Sequence, residues 1–219
     1  MKLDWHGIGL ELLPDRALWR PDTRTLFVAD VHFGKGETFR RFGLPVPIDT
    51  SLADCRRLSR LVHDRHTRRL VILGDLFHAA AGMTGSLLET LAEWRRELGE
   101  VDVDLVLGNH DTHAVRLWKE RRIALHDEPW RLDDLDCRHH PGDAGELHLC
   151  GHLHPGIAVR GLGRRPCFHI TPRRLMLPAF GEFTGLATIE PAPADLVVAV
   201  TDGELVPVPA ALRRRSPRR

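Results

Sequence analysis

Fourteen histidines in 219 residues, several of them beside Asp, Asn or Gly, are the first chemical signal in this chain. Asp30-Val31-His32 follows the apolar run Leu26–Ala29. Gly74-Asp75 follows Leu70–Leu73, with His78 three residues on. Gly108-Asn109-His110-Asp111 follows Val103–Leu107, and Gly151-His152-Leu153-His154 follows Leu147–Cys150. The run before Asp75, four consecutive apolar residues, reads as a strand buried on both faces, and the other three recur in the same form. All four stop at metal-binding residue types, so they are expected to converge at a sheet edge, where open α/β folds place their ligands. Asp30, His32, Asp75, Asn109, His152 and His154 mix carboxylate, amide oxygen and imidazole, with no thiolate among them. That donor set suits Mn²⁺, Fe or Zn²⁺ over a soft-metal or iron–sulfur site. Six donors are too many for one tetrahedral zinc. Two divalent ions sharing Asp75 use all six. Such a pair, about 3.5–4 Å apart, polarises a phosphoryl oxygen, activates water and neutralises charge in the transition state.

The elements that must position these residues are legible in outline. Short strands are expected around Ile8–Leu13 and Ala17–Trp19, then Leu26–Ala29. Asp49-Thr50-Ser51 offers N-cap residues, and Leu52, Cys55, Leu58, Leu61 and Val62 recur at helical spacing to about His66. Leu87, Leu88, Leu91, Trp94 and Leu98 mark a second amphipathic helix closed by Gly99. Strand, helix, strand, helix, strand implies parallel crossovers. Beyond residue 120, short apolar stretches divided by Gly, Pro and Asp suggest antiparallel strands. The whole reads as α/β: two sheets face to face with helices outside. Between the first ligand pair and the first helix, residues 33–43 hold too much glycine for a regular helix at their start. Lys35, Arg40 and Arg41 there belong either to a solvated loop or to a surface that holds substrate phosphates.

Length and composition fit one domain, residues 1–212, followed by an Arg-rich tail, 213–219, read as disordered. The net charge is +1, but five arginines lie in the last seven residues, and without them the chain carries −4. A bulk basic footprint for nucleic acid is therefore absent, and polyanion binding has to come from local patches, the metals or the tail. No apolar run approaches a membrane span, and the start lacks the pattern of a secretory signal. Cys55, Cys137, Cys150 and Cys167 show no CxxC spacing and read as reduced, so the expected location is cytoplasmic.

Taken in order, Asp30-x-His32, Gly74-Asp75, Gly108-Asn109-His110-Asp111 and Gly151-His152-x-His154 resemble the calcineurin-like metallophosphoesterases, over residues 30–154. The resemblance implies a four-layer α/β/β/α sandwich of two mixed sheets with flanking helices and a two-metal centre at one end. It implies that Asp30, His32, Asp75 and His154 hold one ion. Asp75, Asn109, His152 and one further histidine would hold the other. His139 is the expected one, because the family often shows His-x-Pro here, and His140 is the alternative. His110 is implied to be a non-ligand histidine beside the substrate, stabilising phosphoryl charge or protonating the leaving oxygen, with Asp111 orienting it. His78 either tunes substrate choice or packs behind the ligands.

A narrower resemblance rests on Ala29–Gly43, Leu73–His78 and Leu177–Gly185. These look like the bacterial ligase-associated DNA damage response endonucleases, Mn²⁺-dependent phosphodiesterases encoded with a DNA ligase and a helicase. DNA is then the implied substrate, and the ligase and helicase are implied functional partners. Two rival readings are the same centre acting on a small nucleotide or pyrophosphate-linked metabolite, and a non-catalytic scaffold. The second is disfavoured because every ligand position is filled.

Overall fold

The four apolar runs that end in ligand-type residues are all strands in the computed structural model, which describes residues 1–113, 118, 121–142, 145–159, 161 and 163–213. β1 (Lys2–Trp5), β2 (Ile8–Leu13), β3 (Ala17–Arg20) and β4 (Thr25–Val28) form an antiparallel meander. β5 (Arg69–Leu73), β6 (Asp102–Val106) and β7 (Ala124–His126) extend the same sheet in parallel, so its spatial order is the chain order. The register sets Val28 beside Ile72 and Ile72 beside Leu105. Asp30, Asp75 and Asn109 therefore leave three adjacent strands at their carboxyl ends, as the sequence leads one to expect.

Two helices, α2 (Thr50–Asp64) and α3 (Gly85–Glu97), pack on the outer face of this sheet, and α1 (Lys35–Arg41) packs against α2 and the Ala80–Gly82 turn. Cys55, Leu58, Leu61 and Val62 of α2 and Leu87, Leu91 and Trp94 of α3 are buried against Leu26, Val28, Leu70, Ile72 and Leu105. Burying each leucine of that size contributes about 1.5–3 kcal/mol. The loop expected at residues 33–43 is mostly helix instead. Gly34 caps α1 at φ 83°, and Gly36 is buried where a Cβ would collide with the Thr50 hydroxyl. Here glycine marks close approach to α2, and Glu37 in the first turn with Arg40 and Arg41 in the last supports the helix dipole.

The second sheet contains β8 (Trp130–Leu132), β9 (Leu135–Cys137), β10 (His148–Cys150), β11 (Pro155–Val159), β12 (Gly163–Ile170), β13 (Arg174–Met176), β14 (Ala187–Thr188), β15 (Leu196–Thr201) and β16 (Glu204–Pro207). It is mixed, as the family resemblance implies, whereas the spacing of the apolar stretches alone suggests antiparallel pairing. β10 runs parallel to both β9 and β13. That pairing matters for the site: β9 and β10 end at the same edge, which brings His139 to His152. An antiparallel pair would have sent them to opposite ends. Phe27, Val71, Leu73 and Val106 of the first sheet meet Cys137, Leu149, Phe168 and Leu175 of the second in the buried layer between them.

Among the described residues the α-helices all belong to the first sheet. The outer face of the second carries a small apolar cluster of its own side chains, Ile157, Val159, Cys167, Val197 and Ala199, with Val208 packed among them. Arg213, placed in the tail by the sequence reading, is anchored there. Its guanidinium donates to the carbonyls of Ala192, Asp195 and Val208. The rest of that tail, 214–219, lies outside the described residues. All four cysteines are free and buried, and no helix among the described residues is long and apolar enough to cross a membrane.

Candidate metal centre

Just beyond β4, β5 and β10 the donor-bearing chain turns through the left-handed region. Asp30, His32, Asp75, His152 and His154 all have positive φ, between 47° and 69°. Asp and His tolerate this region better than most side chains, yet each such residue costs about 1–3 kcal/mol and persists only where surrounding bonds enforce it. Those bonds are present. The β4 and β5 exits continue to pair: Asp30 N–H donates to Gly74 O (3.1 Å), His32 N–H to Asp75 O (2.9 Å) and Phe33 N–H to Leu76 O (2.9 Å). On the other sheet, Gly151 N–H donates to His139 O (3.1 Å) and His152 N–H to the Asp30 carboxylate (2.9 Å).

The motif glycines make room for these side chains. A Cβ on Gly74 would collide with the His139 ring, one on Gly108 with the Asp75 carboxylate, and one on Gly151 with the Asp30 carboxylate.

The side chains form two groups that share one oxygen. In the first, His32 Nε2 lies 3.2 Å from His154 Nε2, and Asp30 Oδ1 lies 3.4 Å from His154 Nε2. In the second, His139 Nε2 lies 3.0 Å from both Asn109 Oδ1 and His152 Nδ1. Asp75 Oδ2 reaches both, 3.8 Å from His32 Nε2 and 3.5 Å from His139 Nε2. All seven residues singled out as ligands are thus brought together. Leu73 O accepts a hydrogen bond from His139 Nδ1–H (3.1 Å), which leaves the lone pair on Nε2 facing the group.

Their chemistry fits cations. Asp30 Oδ1 is buried without a hydrogen-bond partner, and the ring nitrogens face one another and carboxylate oxygens across short gaps. Burial pushes the His32 imidazolium far below the ordinary histidine range, with Lys35 and neighbouring histidines adding to it. Burial and His139 lower His152 in the same way. Neutral imidazoles are the form that binds metal.

The histidine pair at the end of β9 is divided by Glu128, which the sequence reading missed. Its carboxylate accepts from the backbone N–H groups of His139 (2.7 Å) and His140 (2.9 Å) and binds His140 Nδ1 (2.5 Å). Burial works to raise Glu128, but the bonds from His140 and the two N–H groups outweigh it and hold the carboxyl below its usual range. His139 is fully buried with Nε2 in the second group. His140 is exposed and sits at the rim, one ring nitrogen within 4.8 Å of those of His139 and His152. A lone acid before a proline carries no signal in sequence that would have found this clamp.

Asp111 does not orient His110, contrary to the expectation. Its Oδ2 accepts from Asp75 N–H (2.8 Å) and Gly108 N–H (3.0 Å), and its Oδ1 from Phe77 N–H (3.1 Å). It ties the β5 exit to the β6 exit. Burial, with Asp75 adding to it, pushes its carboxyl up to about 7 against the pull of these donors. Asp111→Ala strands three buried N–H groups, each worth about 1–3 kcal/mol. The chelator-treated variant is therefore expected to melt at least about 6 °C lower, taking 2–4 °C per kcal/mol for a domain of this size. An unchanged melting temperature would remove Asp111 from this role.

His110 is held instead by the carbonyl of His78, 2.7 Å from His110 Nδ1. That contact fixes a proton on Nδ1 and turns Nε2 to within 3.9 Å of Asp75 Oδ2. The His78 ring stacks on His110 at 5.3 Å, and its own Nδ1 is buried with no partner. Burial first, then Lys35 and His110, pushes His78 down to about 4, so its side chain stays neutral.

Of the basic candidates, Lys35 is half-buried, and burial lowers it against the opposing pull of Asp30 and Asp75. Arg40 is engaged with Pro47 O (2.6 Å) and Glu37 (3.2 Å), bracing α1, and Arg41 is exposed beside Ala81 O (3.5 Å). Phe39 and Phe183 pack edge to face at 5.5 Å beside His78 and wall one side of the centre.

No protein-family model and no curated protein matches this chain. Among solved structures it is similar to the Pseudomonas putida nuclease MPE, with 36% sequence identity and a TM-score of 0.85, over 95% of this chain and 99% of the other. Identity at that level over the full length of both, with the same fold, is shared descent: the chain belongs to the family of the Pseudomonas putida nuclease MPE.

Proposed function

We propose that this protein is a metal-dependent phosphodiesterase that cleaves DNA. The observation that carries the reading is Asp75 Oδ2, which lies within 3.8 Å of His32 Nε2 in one donor group and 3.5 Å of His139 Nε2 in the other. Asp30, His32, Asp75 and His154 would hold one divalent ion, and Asp75, Asn109, His139 and His152 a second; the donors suit Mn²⁺, Fe or Zn²⁺, and the ligase-associated resemblance favours Mn²⁺. Bound there, the ions would polarise the phosphodiester and activate water. The protein's own part is to keep the imidazoles neutral, to hold His110 Nε2 toward the reacting phosphate through the His78 carbonyl, and to present Lys35 as a nearby cation. His110 gives a proton to the leaving oxygen or stabilises the phosphoryl charge.

The nuclease relative supports DNA as substrate, and the ligase-associated resemblance extends the reading to DNA repair beside a ligase and a helicase. Four free, buried cysteines suit a reducing compartment such as the cytoplasm.

The test is to strip the protein with chelator, restore Mn²⁺, Fe²⁺, Zn²⁺ or Mg²⁺ singly, and measure bound metal alongside hydrolysis. Plasmid, linear duplex, single-stranded DNA, nucleotides and bis(4-nitrophenyl) phosphate serve as parallel substrates. The reading requires two ions per chain and DNA cleavage restored by Mn²⁺. Turnover of nucleotides alone would make it a small-molecule phosphoesterase, and neither metal nor turnover would make it a scaffold.

A further inference from the structure

The loop after β13, residues 178–187, has two working edges. One lies against the candidate centre: Phe180 N–H donates to Ala29 O (2.8 Å), Gly181 N–H to Asp30 O (3.2 Å) and Ala187 N–H to His154 O (3.0 Å). The other is gripped by arginines from the β2–β3 turn, α2 and β12. Arg16 donates to Gly181 O (3.4 Å), Arg57 to Phe180 O and to Glu182 (2.8 Å), and Arg164 to Leu186 O (2.8 Å). Past this edge opens a cleft of about 840 Å³ between the β2–β3 turn, α2, β12 and the β15–β16 turn.

Five arginines line the cleft: Arg16, Arg57, Arg60, Arg164 and Arg165. Three carboxylates, Asp15, Glu182 and Asp202, oppose them, so the lining is net positive on a body that is net negative. Arg57 and Arg60 are paired with Glu182 and Asp15. Among the described residues Arg164 and Arg165 meet only neutral oxygens, those of Leu186, Thr188 and Arg164 itself, and so keep their charge available. Among the described residues the lining holds no aromatic side chain on which a protein partner would anchor. Guanidinium groups match phosphate geometry two bonds at a time.

We infer that this arginine-lined cleft is the track along which the phosphate backbone of the DNA substrate runs away from the metal centre. The inference rests on the DNA-cleaving reading above and names where the rest of the strand lies. It also answers the charge problem: the cationic contacts that a net acidic body needs are concentrated in one cleft that shares a wall with the ligands.

The test compares the Mn²⁺-loaded wild type with Arg60→Ala/Arg165→Ala, two positions with no contact to the ligands. Initial rates are read on a dinucleotide, on long DNA at several salt concentrations and on bis(4-nitrophenyl) phosphate, with thermal unfolding as a fold control. The expected result is a raised KM for long DNA. The slope of log(kcat/KM) against log[salt] should flatten by about 0.7–0.9 per arginine removed. The dinucleotide and the chromogenic diester should be unaffected. The charge-reversed pair Arg60→Glu/Arg165→Glu should deepen the loss on long DNA alone. Wild-type KM and salt slope in both variants would overturn the cleft while leaving DNA cleavage intact. Equal losses on all substrates would overturn it too, by placing the arginines in the centre or the scaffold. A wild type that hydrolyses the small diester but neither binds nor cleaves DNA would fail the functional reading itself, and the cleft with it.

Discussion

Asp75→Asn is expected to abolish hydrolysis of every substrate while leaving the fold intact. The loss should be at least about 10²-fold, which even partners outside a ligand set can produce. The asparagine keeps the shape of the side chain, and its oxygen still accepts from His110 N–H, now 3.0 Å from Asp75 Oδ1. Its NH₂ group replaces Oδ2 and directs protons at His32 Nε2 and His139 Nε2, where a lone pair is needed in both donor groups. Metal-free, this exchange is harmless or favourable: a buried charge disappears and the two imidazoles gain a donor. Metal-bound, it removes the negative charge common to both sites. Differential unfolding separates the two effects. The chelator-treated variant should melt at or above the wild type, and the rise in melting temperature that Mn²⁺ gives the wild type should vanish. Near-wild-type turnover at limiting Mn²⁺ would rule out a shared ligand, and a lower melting temperature without metal would show that Asp75 holds the scaffold as well.

How much of this was readable beforehand depends on whether the cause is local. Asp30, His32, Asp75, Asn109, His152 and His154 each sit within a few residues of an apolar run that ends in a turn, so strand and donor are encoded side by side. That reading places them together, and the seven candidate donors converge in the fold. What could not be read is set by partners distant in the chain. β7 is three residues long and becomes a strand only because β6 supplies its edge. The parallel pairing of β9 with β10 is a choice of neighbour that alternating apolar residues do not specify. Gly36 looks like a helix breaker until α2 lies across it. Asp111 sits next to His110 in sequence and invites a catalytic role, yet its oxygens face three backbone N–H groups, two of them 34 and 36 residues away. Glu128 and the five arginines of the cleft gain meaning only from what the fold brings opposite them.

His110→Ala is the second large effect, and it should differ from Asp75→Asn in leaving metal content unchanged. His110 Nδ1 is committed to the His78 carbonyl at 2.7 Å, so only Nε2 can gain or lose a proton toward the centre. That nitrogen is 3.9 Å from Asp75 Oδ2, the ring packs edge on to His32 at 5.4 Å, and the side chain is 39% exposed, which leaves substrate a path to it. A positioned acid of this kind is worth about 10²–10⁴ in turnover. The loss should be larger on DNA than on bis(4-nitrophenyl) phosphate, because an alkoxide needs a proton as it leaves and a nitrophenolate does not. Equal losses on the two substrates would mean that His110 stabilises phosphoryl charge without delivering the proton. Metal content that drops with activity would make His110 a ligand instead, and the site would then have to be redrawn with His110 Nε2 inside the second donor group.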